Sequence, residues 1–180
     1  SVPNFVIQGG GYSSSPIGSS ITKDAAVVNE FELSNLRGTV AMARIGGQVN
    51  SATSEWFVNV VNNTQLDSVD GGFTGFARII SGMPVVDAIA VLPRANLQSS
   101  LGGAFGEVPL TDQDTDGVDA NDLVLVNRIY VTDVIVGDSD TVDDGTDDGS
   151  GDGTDDGVET TAEYSTISKS FFLPVRIGNK

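Results

Sequence analysis

Apolar residues along positions 1–137 fall in short runs, cut by Gly, Asn, Asp and Ser, with the length and β-branched content of strands. The runs NFVIQ (4–8), GTVAMARI (38–45), EWFVNVV (55–61), FTGFARII (73–80) and LVLVNRIYVTDVIV (123–136) are the predicted strands. One segment has helical spacing instead. In MPVVDAIAVL (83–92) Val86, Ile89 and Ala90 share a face, Pro84 sits where a first helical turn accepts it, and Pro93 stops the helix. Successive side chains of a strand point to opposite faces, so Trp56 and its neighbour Phe57 serve different surfaces; Trp56 is assigned to packing. A mainly β domain, barrel or sandwich, is expected.

The residue types present narrow the chemistry. Without His or Cys the chain cannot supply a His-based triad, a thiol nucleophile, a disulfide or a zinc finger from its own side chains. A metal would have to bind through oxygen, which selects hard ions such as calcium. Nine Lys and Arg stand against 25 Asp and Glu, and the net charge of −16 opposes binding to nucleic acid or to an anionic membrane surface. No run approaches the length of a membrane-spanning helix.

Charge also divides the chain. Residues 138–180 carry 11 acids and 3 bases, the same net −8 as the far longer 1–137 with 14 acids and 6 bases. DSDTVDDGTDDGSGDGTDDGVE holds ten acids, no base and only Val142 and Val158 as apolar side chains, so it cannot bury enough surface to offset its ordering entropy. The organisation expected is therefore a folded domain over 1–137, a disordered acidic Asp/Gly linker over 138–160, and an apolar segment over 161–180. That last segment is either a tail or the start of a further domain.

The ordered motifs PNFVIQGG (3–10), NEFELSNLRGTVAMAR (29–44), NSATSEWFVNV (50–60), QLD (65–67) and GGFTGFARIISGMPVVDAI (71–89) resemble those of cyclophilin-type peptidyl-prolyl isomerases of the bacterial kind, across residues 1–136. The resemblance implies a closed antiparallel eight-stranded barrel with capping helices and a substrate groove on its face. Against the family pattern, the first strands and first helix are missing from this chain, and the family's arginine would immediately precede Ser1. Carried over residue by residue, the catalytic set is Gln8, Phe5 and Phe57: two aromatic walls of a proline pocket and a glutamine that orients the arginine and bonds the substrate backbone. The substrate-binding set is Val6, Ala43, Arg44, Glu55, Gln65, Leu66 and Phe73. Leu66 is the implied pocket floor, Val6 stands where better-known members have methionine, and Ala43 and Arg44 form a strand segment that pairs with bound peptide. Glu55, Gln65 and Phe73 replace a usual glutamine, tryptophan and histidine. Glu55 is the departure of most consequence, since it sets a negative charge beside the groove.

A second pattern is DQDTDG. Asp112, Asp114 and Asp116 followed by Gly117 match the first half of an EF-hand loop, with Asp119 as a further candidate. The twelfth position is Leu123 where a bidentate acid belongs, with Asp122 one place early, so calcium in the 112–122 loop and a plain solvated acidic loop are both open readings. The function expected is rotation of X-Pro bonds in proline-containing peptides or unfolded client proteins by a monomer that needs no cofactor, impaired in a chain without the arginine. The alternative is a non-catalytic, calcium-dependent proline-peptide binding or adhesion module. Surplus carboxylates would serve salt tolerance in either case. Cysteine content, the acidic loop and the linker lean towards periplasm or cell exterior, with the cytoplasm open.

Overall fold

The run Trp56–Asn59 is buried at every position and forms the strand to which two others are zipped. A computed structural model of the chain describes residues 2, 4–112, 117–126, 130–136, 167–172 and 175–176, the last three stretches by their strand pairing. The strands in chain order are β1 (Val6–Gly9), β2 (Tyr12–Ser14), β3 (Ile17–Ser20), β4 (Thr39–Met42), β5 (Trp56–Asn59), β6 (Gly75–Arg78), β7 (Arg94–Ala95), β8 (Val108–Pro109), β9 (Leu125–Val126), β10 (Tyr130–Val136), β11 (Ile167–Phe172) and β12 (Val175–Arg176). Two helices, α1 (Met83–Ala90) and the single turn α2 (Gln98–Leu101), complete them.

The main sheet has six strands in the order β1-β5-β4-β6-β11-β10. The first three junctions are antiparallel, with Gln8 opposite Phe57, Val40 opposite Val58 and Val40 opposite Ala77. β11 runs parallel to β6, so the sheet is mixed, and β10 pairs antiparallel with β11. The fold is mainly β with few helices, as expected, but the closed eight-stranded antiparallel barrel is not what the described residues form. Closure requires the two edge strands to pair, and here β1 pairs with β5 and β10 with β11. The predicted strands are also shorter than drawn, and the run 123–136 splits into β9 and β10.

Period-two alternation gives this sheet two different faces. One carries Val40, Trp56, Val58, Ala77 and Ile79, and α1 lies on it through Val86 and Ala90. Val86, Ile89 and Ala90 are the buried residues of that helix, the same three the spacing predicts. Arg37 fastens α1 to the sheet side with paired bonds to Asp87, Nη1 to Oδ1 at 2.9 Å and Nη2 to Oδ2 at 2.8 Å. The opposite face carries Val6, Ala41 and Phe57. Trp56 is thus a packing residue and Phe57 looks the other way, as expected.

The turn after β1 needs its glycines because Trp56 lies against it. Gly10 has φ +84°, and a Cβ there would stand 2.5 Å from the Ser54 carbonyl oxygen. The β2–β3 hairpin, SSSPIG around its turn, escapes the hydrophobic pattern because it is built from serine. Asp114, Asp116 and the acidic linker of 138–160 lie outside the described residues.

Candidate functional site

On the face opposite α1, Phe5, Ala43, Leu66 and Phe73 gather around Val6, Ala41 and Phe57. Four elements supply this cluster: the chain entering β1, the end of β4, the middle of β5, and the 64–73 connection that returns to β6. Cross-strand register sets the first three, since Gln8, Phe57 and Ala41 stand in one row across β1, β5 and β4. Phe57 is 4% exposed and meets the edge of Phe73, ring centroids 5.6 Å apart at 81°. Phe5, Leu66 and Phe73 are half-buried, so part of each side chain remains in reach of a ligand.

Arg44 turns inward. Its side chain is 2% exposed, its guanidinium carbon lies 4.2 Å from the Phe73 ring centre, and Nη2 donates to the carbonyls of Val69, Asp70 and Gly72. It therefore backs the Phe73 wall and ties down the 69–72 turn, a role its place at a strand end does not advertise. Gly72 in that turn has φ +80°, and a Cβ there would fall 2.4 Å from the Phe31 ring. The Ala43 N–H donates to the Glu55 carbonyl at 2.8 Å, so this donor belongs to the sheet and is not offered to a peptide.

Glu55 is compensated. Its Oε1 meets the Lys23 ammonium at 2.8 Å and its Oε2 accepts a hydrogen bond from Gln8 Nε2 at 2.8 Å. The bond and charge of Glu55 push the Lys23 pKa up, so the ammonium stays protonated well past neutrality. Gln65 is exposed and donates through Nε2 to Asn63 Oδ1 at 3.3 Å, which turns its amide towards the loop below the pocket.

That loop rests on a buried polar network absent from the candidate residues. Asn59 Nδ2 donates to Thr39 Oγ1 (2.9 Å) and Asn35 Oδ1 (3.2 Å), and Asn59 Oδ1 accepts from Asn63 Nδ2 (2.8 Å). Asn63 Nδ2 also donates to the Phe5 carbonyl at 2.9 Å. Asn35 donates to Asp67 Oδ1 from its backbone N–H (2.8 Å) and its side chain (2.9 Å), and the Ser34 hydroxyl donates to Asp67 Oδ2. Phe5 at one wall and the Leu66–Asp67 turn at the floor are thereby held by one set of bonds. The signal in the sequence is an asparagine inside the apolar run WFVNVV, since a polar residue at the centre of a buried strand persists only where partners await it.

Burial alone would raise the Asp67 pKa, but the bonds from Ser34 and Asn35 outweigh it and hold the carboxyl below the usual aspartate range. A depressed native pKa stabilises the fold above the unfolded value of about 3.9, and that stabilisation is lost as pH falls through the native value. Asp67→Asn is expected to cost about 1–3 kcal/mol at neutral pH. Its urea midpoint should also vary less with pH below about 4 than that of the unchanged chain. Parallel slopes for the two proteins would contradict the assignment.

Among the described residues, which leave out Asp114 and Asp116, no three acidic side chains come together. Asp119 and Asp122 instead close a turn. Asp119 Oδ1 accepts the Asn121 N–H at 2.6 Å, and Asp122 Oδ2 accepts the Asp119 N–H at 2.7 Å. No helix among the described residues is long and apolar enough to cross a membrane.

Residues 1–102 match the family described as cyclophilin type peptidyl-prolyl cis-trans isomerase/CLD. The chain is 43% identical over 96 residues to a peptidyl-prolyl cis-trans isomerase of Acinetobacter baylyi, covering 51% of this chain and 50% of that protein. It is 38% identical over 112 residues to peptidyl-prolyl cis-trans isomerase A of Dickeya dadantii (60% and 55%) and 41% identical over 95 to isomerase B of Escherichia coli (49% and 56%). The chain spans about half the length of the curated relatives it matches.

Proposed function

Because the chain belongs to the cyclophilin-type peptidyl-prolyl cis-trans isomerase family, we propose that its protein rotates X-Pro bonds in proline-containing peptides and unfolded clients, and that the cluster around Phe57 receives the proline ring. The observation that carries this reading is the convergence of Phe5, Val6, Phe57, Leu66 and Phe73 on one sheet face, with Gln8 in the same cross-strand row as Phe57.

The reaction explains why so few polar groups serve. Conjugation of the amide sets a barrier of roughly 18–20 kcal/mol to rotation, and no bond is made or broken in crossing it. An apolar pocket fixes the ring and excludes water, so the carbonyl side of the bond turns while the ring stays. An arginine N–H donated to the prolyl nitrogen favours the pyramidal nitrogen of the twisted state, and so stabilises the transition state more than the ground state. A gain of about 5.5 kcal/mol corresponds to roughly 10⁴-fold. In the family pattern an arginine is implied immediately ahead of Ser1, where its guanidinium would complete the site formed by the pocket and Gln8.

The test is two-dimensional exchange NMR on an Ala-Pro peptide, with the 180-residue chain and with a chain extended upstream through the arginine position. Both should broaden and shift the proline signals, and only the extended chain should accelerate cis/trans exchange strongly. Exchange unaltered by the extended chain, or proline signals unaltered by either, would refute the reading.

A further inference from the structure

The Lys23–Glu55–Gln8 chain of contacts has a directional property that a glutamine at position 55 would lack. A glutamine carboxamide has a donor end and an acceptor end of nearly equal size, and its partners decide which way it lies. An ionised carboxylate only accepts. Glu55 Oε2 therefore takes the amino end of Gln8, Nε2 to Oε2 at 2.8 Å, and the Gln8 carbonyl oxygen is left at the opposite end of the amide. A glutamine in place of Glu55 can present either end and so tolerates both orientations.

Three features hold Glu55 in place. Register sets Gln8 opposite Phe57 and Gly9 opposite Trp56, which puts residue 55 diagonally across from Gln8 on the same face, within reach of long side chains. The Lys23 ammonium occupies Oε1 at 2.8 Å and offsets the charge that would otherwise face the groove. Gly11 leaves room: a Cβ there would stand 2.9 Å from the Glu55 carboxyl carbon and displace it.

We propose that Glu55, with its charge balanced by Lys23, is a positioning residue that fixes the Gln8 carboxamide with its oxygen as the outward acceptor. The proposal rests on the isomerase reading above. The fixed oxygen receives an N–H, from the arginine that the family pattern implies ahead of Ser1 or from the peptide backbone, and holds that donor in the orientation the twisted bond requires. A carboxamide free to flip spends part of its time offering a donor to a donor, which repels the group it should orient.

The experiment uses the natural full-length protein, ¹⁵N-labelled, with Glu55→Gln, Lys23→Met and the double variant. In the unchanged protein one Gln8 Nε2 proton should be shifted and protected from solvent exchange, and in Glu55→Gln that protection should fall. For an Ala-Pro peptide, Glu55→Gln should lower kcat by roughly three- to tenfold while KM stays within about twofold, the pattern of an interaction made in the transition state. Lys23→Met should weaken the unchanged protein and have little further effect once Glu55 is glutamine, because the two contacts act in series. Unaltered Gln8 amide signals, or a loss confined to KM, would overturn the proposal. If the full-length protein proves inactive the isomerase reading fails, and the amide signals alone then decide whether Glu55 fixes Gln8.

Discussion

Replacing Asn59 with alanine is expected to lower the unfolding free energy by about 3 kcal/mol, among the larger effects a single substitution produces. Asn59 has no exposed surface, and its amide spends both ends on three partners, Asn35, Thr39 and Asn63. Alanine leaves Asn35 Oδ1 and an Asn63 Nδ2–H without the bonds they make here, in a place water does not reach. A cavity is added to that cost. Because Asn63 also holds the Phe5 carbonyl and Asn35 holds Asp67, the loss should spread to the pocket: faster amide exchange at Phe5 and Leu66, and weaker peptide binding. Urea unfolding supplies the stability and exchange NMR the spread. A loss below about 1 kcal/mol would show that the network is dispensable to the fold.

Phe57→Ala is expected to cost about 3–5 kcal/mol and to abolish proline-peptide binding. The ring is the buried centre of its cluster, touching Phe73 edge-on. Since a protein so weakened can fail to bind through unfolding alone, Phe57→Leu separates the two effects. Leucine fills most of the volume and should leave the chain folded at ordinary temperature, yet it removes the flat wall. Peptide affinity should then drop severalfold with the urea midpoint little moved. Full affinity in the leucine variant would show that the wall's aromatic character is immaterial.

How much of this was readable before the structure differs from residue to residue. Phe5, Val6, Phe57, Leu66 and Phe73 are brought together as the motifs imply, and the split between Trp56 and Phe57 follows from the period of a strand. Arg44 is a different case. The resemblance makes it part of a strand segment that pairs with bound peptide, and only the fold shows its guanidinium buried against Phe73 with three carbonyls around Nη2. Asn35, Asn63 and Asp67 read as punctuation between apolar runs and Asn59 as a polar residue inside one, because the value of a buried amide depends on partners that lie far off in the chain. Glu55 read as an uncompensated charge for the same reason: its counterion, Lys23, is 32 residues earlier.

By itself the sequence determined the strand centres, the helix with Val86, Ile89 and Ala90 inward, the family, and the absence of His and Cys chemistry. Those properties rest on local periodicity, on ordered motifs and on residue identity, which need no knowledge of how the chain returns on itself. The tertiary structure decided the mixed six-stranded sheet in place of the expected closed barrel, the inward turn of Arg44, the bonds joining Phe5 to Asp67, and the ion pair that neutralises Glu55. Each of these is a pairing between segments distant in sequence, and hydrogen bonds and charges acquire their energy only at contact distance, which the fold alone sets.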